Sequence, residues 1–209
     1  KESGTAGGFE EKALAAGQAG AGLIVIGRPE EDGISLREAL ELFGLSMDRR
    51  KVFLVGMGPG DPGLFTEAAR RAFEESQVLA GAGRMADGLR GFQKPVLREY
   101  QPERILGFLK DHPEYETAAV ALSGDTGFFS GARGLLEVLN RDGGFEVEVI
   151  PGISSAGSFF SRIGAGWEDV CFLSLHGRDA DLEGAVGGHK RVFILCGGSN
   201  ALKEICERL

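Results

Sequence analysis

Lys51-Val52-Phe53-Leu54-Val55-Gly56-Met57-Gly58-Pro59-Gly60-Asp61-Pro62 decides the fold. Its first five residues read as a buried strand, and the strand runs directly into a glycine-rich turn. Apolar residues at helical spacing follow at Phe65, Ala68, Ala69, Ala72 and Phe73. Thr66 suits the N-cap of that helix, and Glu67 places a carboxylate in its first turn. A buried strand, a tight turn and an amphipathic helix in succession form the repeating unit of an α/β protein.

The unit recurs along the chain. Leu23-Ile24-Val25-Ile26, Gln77-Val78-Leu79-Ala80, Thr117 to Leu122, Phe145 to Ile150, Val170 to Leu175 and Arg191 to Cys196 read as further strands. Leu135, Leu136 and Leu139, after Gly131, mark another helix, and Glu10 to Gly20 one more. The fold class is therefore α/β with a mainly parallel sheet, whose ligand is expected beyond the carboxyl ends of the strands. The 34 glycines among 209 residues cluster at those ends. They make up about 16% of the chain against a usual ~7%, and glycine lets backbone approach a ligand closely.

Charge and composition exclude several classes. Lys and Arg total 23 against 31 Asp and Glu, a net charge of −8, and no basic stripe suits a nucleic acid. The apolar runs fall far short of the ~20 residues of a membrane helix. No basic segment precedes an apolar one at the start, so no secretory signal is read. Cys171, Cys196 and Cys206 make no CxxC pair and the three histidines are scattered. No metal site is expected, and a reducing, cytoplasmic setting is.

Four segments are expected. Residues 1–45 are too short to build their own core, 46–50 (Ser-Met-Asp-Arg-Arg) form a linker, and a break near Trp167 separates 51–166 from 167–209. Asn200 reads as the N-cap of a helix over Ala201 to Leu209 that reaches the last residue without a stop signal. Both ends read as cut from something longer.

The first loop is not a dinucleotide loop. That fingerprint needs a sixth glycine and free N–H groups for a pyrophosphate, whereas here Asp61 stands at the sixth position and Pro59 removes a donor. The loop brings backbone and one carboxylate to a ligand that is not a phosphate; taken alone it reads equally as a tight turn capped by Asp61. Two later loops also follow strands. They are Ser123-Gly124-Asp125-Thr126-Gly127-Phe128-Phe129-Ser130-Gly131 and Pro151-Gly152-Ile153-Ser154-Ser155-Ala156. Each, singly, reads as a turn with an N-cap as readily as a binding loop.

In this order and spacing the three loops resemble the tetrapyrrole methylase family, S-adenosylmethionine-dependent enzymes of corrin and sirohaem synthesis. Ser123 to Phe128, Ser130-Gly131-Ala132 and Ser174-Leu175-His176-Gly177-Arg178 resemble the precorrin-6Y branch, which methylates carbon 5. The resemblance covers about Lys51 to Leu209. It implies a two-sub-domain fold whose second sub-domain, complete in the family, is truncated here. A weaker likeness at Lys1-Glu2-Ser3-Gly4, Gly7-Gly8, Lys12, Ala15-Ala16 and Arg28-Pro29 is to the carboxyl-terminal end of precorrin-6 reductase. It implies fusion or association with that reductase and with the carbon-15 methylase, but no reductase activity in this chain.

The resemblance also implies site residues. S-adenosylmethionine, leaving as S-adenosylhomocysteine, would be held by Gly58, Pro59, Ser123, Gly124, Asp125, Phe128, Ser154, Ser155 and the backbone at Cys196; the Cys196 side chain itself reads as a small buried apolar group. Asp125 either meets the donor or only fixes its loop. The carboxylate-rich precorrin, with or without cobalt, would meet Arg84, His176 and Arg178, with Arg162 an addition, since bidentate Arg–carboxylate contacts are among the stronger polar ones. Asp61 is the candidate for orienting substrate or taking up a proton. The family implies a homodimer. Rival readings are a methylase acting at another ring carbon and a non-catalytic scaffold.

Overall fold

Arg50–Gly56 (β1) is apolar on both faces because both faces are covered. Successive side chains of a strand point to opposite sides. Val52 and Leu54 join one core with Ile105, Leu109, Leu135 and Leu139. Phe53 and Val55 join the other with Ala69, Ala72 and Phe73. All four β1 residues are at most 3% exposed, which explains a continuous apolar run in place of alternation.

This computed structural model describes residues 9–22, 42–43, 49–175, 180–197 and 201–209. The strand expected at Leu23 to Ile26 and the N-cap expected at Asn200 lie outside them. The chain divides into two compact units, Lys1–Met47 and Asp48–Leu209. In the first, Phe9–Gln18 is a helix (α1) with Glu10 and Glu11 in its opening turn. In the second, β1 takes in Arg50, which the sequence reading assigned to the linker; its guanidinium donates to Leu109 O and lies over the Phe145 ring.

The second unit continues through α2 (Glu67–Glu75), β2 (Val78–Gly81), α3 (Gly83–Gly88), β3 (Val96–Arg98) and α4 (Pro102–Asp111). It then forms β4 (Thr117–Leu122), α5 (Ala132–Asp142), β5 (Phe145–Ile150) and α6 (Ser155–Arg162). Thr66 caps α2 as its residue type predicts, its hydroxyl accepting from Ala69 N at 3.1 Å. Pro102 opens α4, where a missing N–H costs nothing. The five strands are all parallel in the order β3-β2-β4-β1-β5.

That order creates a switch point. From β1 the chain passes through α2, on one face, toward β2; from β4 it passes through α5, on the other face, toward β5. β1 and β4 are neighbours whose exits diverge, and a crevice opens between such exits. The register pairs Gly56 with Leu122 and Val55 with Ile150, so three strands end level.

A separate two-stranded parallel sheet follows, β6 (Cys171–Ser174) beside β7 (Val192–Leu195), with α7 (Leu182–Gly188) between them in sequence and α8 (Ala201–Arg208) after them. Asp181 caps α7 by accepting from Gly184 N. Arg208 forks onto Glu183 with two contacts of 3.0 Å, and this guanidinium holds the Glu183 carboxyl below its ordinary range.

Candidate functional site

Three turns meet where the level strands end. Gly58 and Gly124 exchange backbone hydrogen bonds, Gly58 N to Gly124 O at 3.1 Å and Gly124 N to Gly58 O at 2.9 Å. Gly58 has φ +73° and Gly124 φ +68°, a region that side chains other than glycine's rarely enter. Beneath them Gly56 packs backbone to backbone: a Cβ there would lie 2.5 Å from Gly152 N and 2.7 Å from Gly124 O. The first, second and third loops thus meet main chain to main chain.

Asp125 ties the second loop to the third. Its Oδ1 accepts from Gly127 N at 2.8 Å within its own loop, and its Oδ2 accepts from Gly152 N at 3.1 Å across the gap. That is the geometry of a loop-fixing carboxylate. Ser154 sits just ahead of α6 in the N-cap position, yet its hydroxyl caps nothing: Ser154 Oγ is buried and has no hydrogen-bond partner. A buried hydroxyl left unpaired is costly, and a polar ligand at the rim would satisfy it. Ser155 opens the helix, with its N–H beside Gly124.

Arg84 comes to the same rim. It lies on the first turn of α3, beyond the end of β2, and its Nη2 donates to Ser123 Oγ at 3.4 Å. Met57, Gly58, Gly60, Arg84 and Ser123 share one small depression. Pro59 is half-buried between Gly58 and the exposed Gly60. Asp61 is exposed and caps a short 3₁₀ turn, Pro62–Leu64, accepting from Gly63 N at 2.9 Å; with Arg162 it borders a second depression that includes Ile153 and Ser158.

Residues 51–209 match the family model of the tetrapyrrole (corrin/porphyrin) methylases. The chain belongs to this family. It is 33% identical over 136 residues to the cobalt-factor III methyltransferase of Priestia megaterium, covering 60% of this chain and 25% of that protein. It is 28% identical over 165 residues, 73% of each chain, to a probable cobalt-precorrin-7 C(5)-methyltransferase of Methanocaldococcus jannaschii. The solved uroporphyrin-III C-methyltransferase of Thermus thermophilus, complexed with S-adenosylhomocysteine, shares the fold. Its TM-score is 0.56 at 23% identity, covering 75% of this chain and 72% of that one. The chain spans only a quarter to under half of the first curated relatives it matches.

In this member of the family the second loop also reaches the small sheet. Phe128 stands edge-on to Phe172 of β6, centroids 5.3 Å apart. Phe172 meets Trp167 and Phe193, and Phe193 meets Phe159 and Phe160 of α6. Sequence reasoning missed this cluster, because its members come from five separate segments and no periodicity links them. Cys196 follows β7 and is exposed, a correction to the buried apolar group expected there: β7 ends at Leu195, one residue early. His176 and Arg178 lie outside the described residues. Among the described residues no three His, Cys, Asp or Glu side chains group to hold a metal, and no helix is long and apolar enough to cross a membrane.

The chain carries one further built turn beside the rim. Glu99, after β3, accepts from Tyr100 N at 2.8 Å and Gln101 N at 3.0 Å through Oε1, while Arg104 approaches Oε2 at 3.4 Å. The Gln101 and Tyr100 N–H groups, then Arg104, hold its carboxyl below the ordinary 4.5. A depressed folded value means the turn gains from the carboxylate above pH 4.5 and loses that gain as pH falls through the lower folded value. In a pH titration followed by amide NMR, Tyr100 and Gln101 N–H are expected to shift together with a midpoint below 4.5; a midpoint at or above it contradicts the assignment.

Proposed function

We propose that this chain is an S-adenosylmethionine-dependent methyltransferase of cobalamin biosynthesis that methylates carbon 5 of precorrin-6Y (or 6B), or of its cobalt form. The observation that carries the reading is the main-chain convergence of the Gly56–Gly58, Gly124 and Gly152 turns at the switch point of the sheet. Family membership over residues 51–209 supports the reaction class. The relative named for the C(5) position, matched over 73% of each chain, supports the carbon.

The residues at the rim fit the donor by chemistry. Backbone groups, the Ser123 hydroxyl and the unpaired Ser154 hydroxyl offer neutral hydrogen bonds, which suit ribose and methionine groups better than a phosphate. A fold neighbour solved with S-adenosylhomocysteine is in keeping with this. When bound, S-adenosylmethionine supplies an electrophilic methyl group, and transfer needs alignment and exclusion of water more than acid–base power. In this chain Gly58, Pro59, Ser123, Gly124, Asp125, Phe128, Ser154, Ser155 and the backbone at Cys196 hold the donor. Arg84, with His176 and Arg178, pairs with substrate carboxylates, and Asp61 orients the substrate or accepts its proton.

The test is a methyl-transfer assay with 13C-methyl donor and the candidate precorrins, the product carbon being located by NMR. Label on carbon 5 is expected. Label on another carbon favours a different methylase of the family, a reading that the 33% identity to the cobalt-factor III enzyme keeps in view. Absence of S-adenosylhomocysteine binding by calorimetry overturns the donor site.

A further inference from the structure

The rings that join the second loop to the small sheet also lead back to the third loop, and so close a circuit through the rim. Phe128 and Phe172 stand edge-on with 88° between their ring planes, and Phe172 stands edge-on to Trp167 at the same angle, centroids 5.8 Å apart. Phe172 also meets Phe193 of β7 at 6.0 Å, and Phe193 meets Phe160 of α6 at 5.7 Å. Phe160 is buried, and α6 is the helix that opens at Ser155, straight after the third loop. On the other side of the circuit the Asp125 carboxylate ties the second loop to Gly152 of the third. The two loops are thus linked twice, once by a hydrogen bond at the rim and once by rings of the small sheet.

The second loop needs such support. Phe129 adopts φ +47°, a left-handed conformation that a bulky residue enters only at a cost, and a strained turn persists where its surroundings over-determine it. Phe128 comes immediately before it, and its N–H closes a turn onto Asp125 O at 3.3 Å. The seat of the Phe128 ring therefore bears on the turn that begins at Asp125, and Phe172 grips that ring from outside the loop. Edge-to-face pairs have a preferred geometry that aliphatic contacts lack, so two edge-on neighbours at once set the plane of Phe172.

We propose that Phe172 is a positioning residue for the donor rim: through Phe128 it holds the second loop in the form that presents Ser123, Gly124 and Asp125 to S-adenosylmethionine. This rests on the methyltransferase reading above and adds a residue that acts on the donor through another side chain. A strand of the small sheet thereby sets the affinity of a rim built on the large one.

The test is S-adenosylhomocysteine affinity, measured by calorimetry on the unaltered chain and on variants at Phe172 and Phe128. Phe172→Leu keeps apolar bulk but removes the edge-on contacts, and is expected to weaken binding about fivefold, the worth of one such pair. Phe172→Met, more adaptable in packing, carries the same expectation and stands in should the leucine variant not fold. Phe172→Tyr keeps the ring and is expected to stay within twofold; a tyrosine variant as weak as the leucine one overturns the proposal. Because Phe172 acts through Phe128, the double variant Phe128→Leu/Phe172→Leu is expected to bind no more than twofold weaker than Phe128→Leu alone. Losses that multiply show Phe172 acting independently of Phe128 and overturn it. Val192→Ala, in β7 beside Phe193 and paired in register with Cys171, controls for general loosening of the small sheet: its melting temperature is expected to fall while affinity stays within twofold, and a loss equal to that of Phe172→Leu overturns the role. Binding that survives the Phe172 substitutions removes the positioning role and leaves the donor rim standing. An unaltered chain that does not bind S-adenosylhomocysteine removes both.

Discussion

Replacing Gly56 by alanine is expected to cost about 3 kcal/mol of stability or more, at the upper end of overpacking penalties, and to abolish S-adenosylhomocysteine binding. The new methyl group would lie 2.5 Å from Gly152 N, 2.7 Å from Gly124 O and 2.8 Å from Gly152 Cα. All three neighbours are backbone, so no side chain can swing aside, and Gly56 closes a strand bonded on both flanks. Relief requires pushing the second and third loops apart, which takes Ser154 and Asp125 with them. Gly152→Ala meets Gly124 O and Gly56 O in the same way. Gly107→Ala is the control: it lies in α4 with nothing within 4 Å, and a gain of roughly 0.5–1 kcal/mol is expected from the better helix former. Urea denaturation of the three variants gives the comparison. A Gly56→Ala protein as stable as Gly107→Ala would show that the loops do not meet as described.

Asp125→Ala is expected to lower stability by about 2 kcal/mol and S-adenosylhomocysteine affinity by more than tenfold. A hydrogen bond to a charged group contributes roughly 1.5–3 kcal/mol; of the two here, the one from Gly152 N is partly buried and carries most of the effect, while the one from Gly127 N is exposed. The second effect is the more telling. Without the carboxylate the second loop keeps the Gly58–Gly124 exchange, the Arg84–Ser123 contact and the Phe128–Phe172 packing, but loses its hydrogen bond to the third loop. Asp125→Asn keeps an acceptor oxygen but loses the charge, so it is expected to fall between the two. Should the alanine variant lose stability and keep full affinity, the loops would be held for folding alone.

Much of this was legible in residue order. The strand at Lys51 to Val55, its glycine turn and the Thr66-capped helix all stand as their residue types dictate, because a buried parallel strand leaves a continuous apolar run. β3 was not legible: three residues after Pro95 give neither an alternation nor a run. α3 was hidden by glycines at both ends. Within the site, the meeting of three turns follows from strand order and register, which spacing along the chain suggests through motif order but cannot measure. The unpaired Ser154 hydroxyl and the left-handed Phe129 are set by the folded surroundings, and the Glu99 turn, though local, rests on a carboxylate folding back onto the N–H groups of the next two residues. No local pattern announces them.

The joint at the rim is built largely of main chain from residues that carry no side chain, tied by the Asp125 carboxylate, and this sets how freely the lineage can drift. The glycines, with Asp125, are pinned by these contacts. On the proposed function, a descendant could therefore change its acceptor while the donor rim stays as inherited. Proteins matched at comparable identity yet named for different target positions are what such inheritance leaves behind.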